Sequence, residues 1–140
     1  MEITVKAGCF LVDVKTGKIA LIFREKQRDI TFPKGHLEKG ESIKECAIRE
    51  TEEETKRACK IVEEIEPLIE EYTNSINENC ECYMFVATDC GKSDNTSTDT
   101  HTLVWTDVEE VEEKLSYKSL KKDWRKIKPQ ILKILEKKLK

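Results

Sequence analysis

One stretch constrains this chain more than any other: Pro33 to Lys56, reading PKGHLEKGESIKECAIRETEEETK. A glycine-bearing loop there runs directly into a segment free of Gly and Pro that carries Arg49, Glu50, Glu53 and Glu54. Ser42, followed three residues later by Glu45, has the spacing of a capping box, so a helix is predicted from Ser42 to about Arg57. At about 100° per helical residue, Ile43, Cys46, Ala47, Glu53 and Glu54 fall within roughly 60° of Glu50, while Glu45, Glu52 and Lys56 fall on the far side. The face that starts apolar, and must dock on the body of the domain, therefore turns carboxylate-lined as it proceeds. Three carboxylates at the edge of a core repel one another and rise in pKa unless a cation or basic groups compensate. A glutamate-rich helix is ordinarily a solvated one. Here the apolar residues share the sector of the glutamates, which points instead to a site where oxygen donors hold a hard cation against a phosphate chain.

The rest of the chain is compatible with one compact domain over residues 1–140, long enough to bury a real core. No apolar run reaches membrane-spanning length, and the N-terminus MEITVKAG lacks signal-peptide organisation. With 38% charged residues, a soluble cytoplasmic protein is expected, not a disulfide-dense secreted one. The six cysteines (Cys9, Cys46, Cys59, Cys80, Cys82 and Cys90) fall mostly within predicted strands and helices and read as free thiols in a reducing compartment. A zinc site from Cys80, Cys82, Cys90 and His101 is the alternative, but it lacks a C-x2-C pair.

Hydrophobic alternation predicts a strand from Ile3 to Val14, a turn at Lys15-Thr16-Gly17-Lys18 and a partner strand from Ile19 to Phe23. Arg24 to Asp29 reads as a polar connection, Ile30 to Phe32 as a short extended piece ended by Pro33. Lys60 to Tyr72 reads as strand material bent at Pro67, and Glu81 to Thr88 as a buried strand. A polar loop is expected from Gly91 to Thr100, a strand from Leu103 to Thr106, and a short helix capped by Asp107 and running through Leu115.

Lys118 to Lys140 holds ten of the chain's 25 Lys and Arg residues but only two of its 28 acids. Leu120, Trp124, Ile127, Ile131 and Ile134 recur at helical spacing, so a basic amphipathic helix over 118–140 should pack one face on the domain. Its lysines read either as a solvated face or as a basic surface for polyphosphate or nucleic acid.

The 35–57 segment resembles the Nudix box, G-x5-E-x7-R-E-U-x-E-E-x-G-U with U a bulky aliphatic residue, through Gly35, Glu41, Arg49, Glu50, Glu53 and Glu54. Thr51 stands at the first U, Lys56 where the family has glycine and Arg57 at the final aliphatic position. Lys56 either keeps a left-handed conformation, at about 1 kcal/mol, or lets the helix run on through Ala58. The resemblance implies an α/β fold, the Nudix α-β-α sandwich around a mixed sheet; the periodicity by itself says only mixed α/β. It also implies hydrolysis of a phosphoanhydride by water, with Mg²⁺ (or Mn²⁺) held by Glu50, Glu53, Glu54 and the Gly35 carbonyl. Arg49 and Glu41 match the pair that braces the loop on the helix. The general base is either Glu50 or an acid from a later loop. Asp99 is that loop acid here, because DTHTLVW resembles an E-H-x-x-Y-x-W stretch of related hydrolases.

Pro33-Lys34-Gly35-His36 resembles dinucleoside polyphosphate hydrolases and diphosphoinositol polyphosphate phosphohydrolases, whereas nucleotide-pool sanitisers more commonly carry P-G-G there. Arg24, Lys34 and His36 are the substrate-binding candidates, placed to neutralise a long phosphate chain. The dinucleoside polyphosphate enzymes this loop resembles often carry a base-stacking aromatic at about the position of Ile30, and the lack of one there leaves Tyr72, Tyr83 and Phe85 as platforms. The expected partner is a small nucleoside polyphosphate of the diadenosine tetraphosphate kind. The alternatives are a diphosphoinositol polyphosphate, a capped or 5'-pyrophosphorylated RNA, or non-catalytic binding of nucleotide or RNA.

Overall fold

The alternating start of the chain forms one long strand, β1 (Ile3–Asp13), and a turn with Gly17 at φ +76° returns it as β2 (Lys18–Arg24). The computed structural model describes residues 2–95 and 101–138, with the backbone alone at Lys138. Two short strands follow, β3 (Asp29–Thr31) and β4 (Lys34–His36), then α1 (Ile43–Thr55). Strands β5 (Arg57–Ile61) and β6 (Leu68–Thr73) flank the expected bend. β7 (Asn79–Lys92) and β8 (Thr102–Asp107) complete the sheet. A 3₁₀ turn (Val108–Glu110), α2 (Val111–Lys114) and the long α3 (Lys118–Lys138) end the described chain.

Two elements differ from expectation. β7 runs past Thr88 to Lys92, because it has a different partner along each half: β6 pairs with Asn79–Met84 and β5 with Ala87–Lys92. The helix expected from Asp107 to Leu115 is divided into the 3₁₀ turn and α2, and the Asp107 side chain makes no capping hydrogen bond.

β1 and β7 lie parallel at the centre, paired from Ile3–Asn79 to Val12–Thr88. β4 flanks the first half of β1 and β2 its second half; β3 and β8 then pair with β2. The result is a mixed eight-stranded sheet. Because strand side chains alternate, each of its faces carries its own core. One face is small-grained, with Ala7, Cys9, Ala20 and Ala87 packed on Cys46 and Ala47 of α1. The other is large-grained, with Phe10, Ile19, Leu21, Phe32 and Val86 under Trp124, Ile127 and Ile131 of α3. Phe32 meets Phe10 edge-on at 4.8 Å and lies 6.2 Å from Trp124. This is an α-β-α sandwich. No helix among the described residues is long and apolar enough to cross a membrane.

Candidate active site

α1 starts where the capping box places it: the Ser42 hydroxyl accepts the Glu45 N–H, and the Glu45 carboxylate accepts the Ser42 N–H at 2.8 Å. It stops at Thr55, because Lys56 adopts the left-handed conformation (φ 60°, ψ 28°) and donates its N–H to the Glu52 carbonyl at 2.8 Å. The lysine therefore keeps the backbone geometry that favours glycine. α1 does not continue through Ala58.

Two glycines bring β4 close. A Cβ on Gly8 would stand 2.0 Å from the Pro33 carbonyl oxygen, and one on Gly35 would stand 1.9 Å from Glu50 Oε2. Gly8 thus admits β4 against β1, in the register Lys6–His36, Ala7–Gly35, Gly8–Lys34. Gly35 lets the Glu50 carboxylate lie on the β4 backbone. One residue earlier, the Lys34 N–H donates to Glu54 Oε1 at 2.9 Å. The glutamates at positions 50 and 54, one turn apart, both face the glycine loop, as a site at this point requires.

Arg49 knits these groups together. Its Nε and Nη2 donate to the two oxygens of Glu41 at 2.6 and 3.0 Å, and Nη2 also donates to the His36 carbonyl at 2.9 Å. Its Nη1 reaches Glu50 Oε1 at 2.6 Å and both Glu53 oxygens at 3.3 Å. Glu41 in turn accepts the Glu38 N–H at 3.0 Å. The loop is pinned to the helix at both its ends.

The electrostatics follow from this geometry. The Arg49 guanidinium holds the Glu41 carboxyl down at about 2. Burial lifts Glu50 above the ordinary carboxylate range, opposed by the same guanidinium. Burial also pushes the Cys46 thiol up to about 12, so it is a neutral weak donor, 3.7 Å from the Gly35 carbonyl oxygen. Glu50 and Glu54 keep only 14% and 11% of their side-chain surface exposed, against 31% for Glu53.

Among the described residues, no three His, Cys, Asp or Glu side chains, the box glutamates included, stand close enough together to hold a metal ion, and all six cysteines are free. The zinc grouping of Cys80, Cys82, Cys90 and His101 is thus not assembled: Cys80 and Cys82 are buried on β7 and Cys90 is exposed farther along it. At the carboxylate site, the Arg49 guanidinium stands between Glu50 and Glu53 and supplies the positive charge that clustered carboxylates require. The donor set of Glu50, Glu53, Glu54 and the Gly35 carbonyl is all oxygen, and the missing Cβ of Gly35 makes room for it. That composition fits a hard divalent cation.

Arg24 and the side chains of Lys34 and His36 lie apart from this knot. Arg24 forms a two-point ion pair with Asp29, at 2.7 and 2.5 Å, and Tyr117 donates its hydroxyl to the same carboxylate. Its guanidinium ties β2 to β3. The side chains of Lys34 and His36 alternate with Gly35 and so face the α3 side of the sheet. Phe85 is core, Tyr83 donates to Glu81 at 3.2 Å, and Tyr72 lies 5.9 Å beneath the Lys6 ammonium. Asp99 lies outside the described residues. His101, two positions on, is inside them, with Nε2 3.8 Å from Glu54 Oε2. Sequence reasoning names His101 only as a zinc candidate, although the DTHTLVW stretch is the signal that brings it to the carboxylates.

A sequence model of the NUDIX domain matches residues 3–132. No curated protein sequence matches the chain. Among solved structures, a Caenorhabditis elegans Ap4A hydrolase in a binary complex superposes with a TM-score of 0.75 at 20% identity, covering 93% of this chain and 98% of that one. A NUDIX hydrolase from Nitrosomonas europaea gives 0.70 at 21% identity, covering 85% and 84%. The MutT protein of Bacillus halodurans gives 0.64 at 22%, covering 88% and 80%. These likenesses establish the fold. With the domain match spanning nearly the whole chain, and with the box residues assembled around Gly35, the chain belongs to the NUDIX family and is a Nudix hydrolase.

Proposed function

We propose that this chain is a divalent-metal-dependent pyrophosphohydrolase that cleaves a phosphoanhydride bond of a nucleoside polyphosphate by attack of water on phosphorus. The observation that carries the proposal is the convergence of two helix carboxylates on the β4 backbone, Glu50 against Gly35 and Glu54 on the Lys34 N–H, with Glu53 beside them and Arg49 bracing the loop. Glu50, Glu53, Glu54 and the Gly35 carbonyl would hold Mg²⁺ or Mn²⁺. Such a cation, when bound, supplies charge neutralisation along the phosphate chain and a more acidic water.

The chain's own residues do the rest. Arg49 and Glu41 fix the loop so that the Gly35 backbone keeps its place, an orienting role one layer removed from the reaction. Glu50, largely sheltered from water, is the carboxylate offered for accepting the attacking water's proton; Asp99 is the loop alternative. Lys34 and His36 edge the same β4 backbone from the opposite face, and both are offered as contacts for the anionic chain. Arg24 is the weakest of the substrate contacts, since Asp29 already holds it. The likeness to an Ap4A hydrolase, together with the Pro-Lys-Gly-His loop, favours a dinucleoside polyphosphate such as diadenosine tetraphosphate. Six free cysteines are what a reducing compartment preserves, which supports a cytoplasmic setting.

The test is phosphate or nucleotide release from a panel: diadenosine tetraphosphate, nucleoside triphosphates, a diphosphoinositol polyphosphate and a 5'-triphosphorylated RNA. Each is run with Mg²⁺ and with chelator, in oxygen-18 water read by mass spectrometry. Metal-dependent turnover of the dinucleotide with one labelled product supports the proposal. No turnover on any member, alongside tight nucleotide binding, would overturn it in favour of a binding domain.

A further inference from the structure

α3 divides its basic residues between two fates. Its core side carries Leu120, Trp124, Ile127, Ile131 and Leu135, all buried. On one flank, Lys121, Arg125 and Lys128 are taken up by the acidic segment before it: Lys121 by the Glu112 carbonyl at 2.6 Å, Arg125 by the Glu112 carboxylate at 2.7 Å, Lys128 by Glu109 at 3.0 Å. On the other flank stand Lys118, Lys122, Lys126, Lys133 and Lys137, all exposed and, among the described residues, none in an ion pair. At about 100° per residue these five fall in a sector roughly 100° wide, and at 1.5 Å per residue they run about 28 Å along the helix.

Between Lys126 and Lys34 of β4 lies the buried Asp123 carboxyl, with Glu70 beside it, so the lysine flank ends at that acidic pair. At its far end Lys133 and Lys137, with Gln130 and Ile134, line a groove of about 920 Å³ whose other residues include Lys60, Ile61, Val62 and Ile65 and the acids Glu63 and Glu64. Glu63 is already paired with Lys44 at 2.5 Å.

We propose that this lysine flank binds the backbone of a single-stranded nucleic acid. Exposed cations one or two helical turns apart along one side of a helix complement the charge of a phosphate backbone. The sector contains no aromatic or large aliphatic anchor; its other members are Ser119, Pro129, Gln130 and one acid, Glu136. A protein partner would call for such an anchor. A membrane surface would need the apolar face of α3, which is already buried in the core. Contacts to backbone charge alone predict binding with little sequence preference. The five α3 lysines take no part in the anhydride chemistry proposed above.

The experiment is fluorescence anisotropy of a labelled oligouridylate with a 5'-hydroxyl end, which offers nothing to hydrolyse, titrated with the full chain over a range of salt. The wild type should bind at low salt, with log K falling against log salt at a slope of about −2 to −3.5, the value for three to five phosphate contacts on a single strand. K133E/K137E and K122E/K126E should each weaken binding about tenfold or more and flatten the slope, at an unchanged melting temperature. K15E, an exposed lysine in the β1–β2 turn, should leave it within about twofold. No binding at low salt, equal losses in K15E and the α3 variants, or capture of acidic vesicles in place of the oligonucleotide would overturn the proposal.

Discussion

The two faces of the sheet are built to opposite rules. Under α1 small residues, Ala7, Cys9, Ala20, Cys46, Ala47 and Ala87, pack beside the larger Leu11, Ile61 and Phe85, and the helix edge is charged. Under α3 the packing is coarse, Phe10, Phe32, Leu21, Ile127 and Trp124, with ring on ring. Small residues let α1 approach closely enough for Glu50 to rest on the Gly35 backbone, at the expense of buried apolar area. Large ones give the α3 side the burial that stabilises the fold. Chemistry and stability are thus assigned to different sides of one sheet, and they should be separable by mutation.

The sharpest break of that comparison comes from Trp124→Ala. The side chain is wholly buried, so its removal should cost about 3–5 kcal/mol in denaturant unfolding. The surviving folded protein should keep its kcat within a few-fold; a collapse of kcat in the folded fraction would show that the faces are coupled. The mirror experiment is Glu54→Gln or Glu53→Gln. Turnover should fall about 100-fold or more while the unfolding midpoint shifts little, since the amide oxygen of a glutamine at position 54 can still accept the Lys34 N–H. Near wild-type turnover in either variant would remove these residues from the metal-holding set.

The faces should also titrate in opposite senses. Glu41, held down at about 2 by Arg49, stabilises the fold above the ordinary carboxylate pKa, and that contribution is lost as pH falls from about 4.5 through about 2. Asp123 is the reverse case. Burial, with the Glu70 carboxyl beside it, pushes it up to about 7, opposed by Lys126 and Lys34. A raised carboxyl contributes most at low pH and loses that contribution as pH rises from its unfolded value near 4 through about 7. Asp123→Asn should therefore raise stability at pH 8 by about 1–2 kcal/mol and flatten the alkaline limb, and Glu41→Gln should flatten the acid limb. Urea melts across pH check both. An unchanged alkaline limb in Asp123→Asn would assign that limb to other groups. The smallest expected effect is Lys56→Gly, which relieves a left-handed lysine but forfeits its Nζ hydrogen bond to the Glu53 carbonyl at 2.8 Å. A net gain of under about 1 kcal/mol is expected; a loss would mean that the lysine caps the helix better than glycine frees it.

What the sequence made legible was local. The capping box, the sector shared by Cys46, Ala47 and the glutamates and the apolar stripe of α3 are each set by spacings within a few residues, and the Glu41–Arg49 brace came from the likeness to the Nudix box. What escaped was set by pairing across the sheet. That Lys34 and Gly35 face opposite sides follows from the β4–β1 register, which a three-residue strand does not announce. Arg24 reads as a ligand for phosphate because Asp29, five positions on, becomes its partner only when β2 and β3 pair. Asp123, the i−1 neighbour of the best core residue of α3, reads as an ordinary surface acid until the helix is docked and it turns up 5% exposed. His101 reaches Glu54 only by the path of β8.

The parallel β1–β7 ladder has a consequence for how the protein is made. Ile3–Asp13 leaves the ribosome well before its central neighbour Asn79–Lys92, with most of the other strands and all of α1 in between. Until then β1 has only β2 and β4 beside it, and the central edge it offers to β7 stays unpaired. Nascent chains halted before Lys92 should remain protease-sensitive and sticky, and acquisition of shape should be a late, single event that waits for that strand.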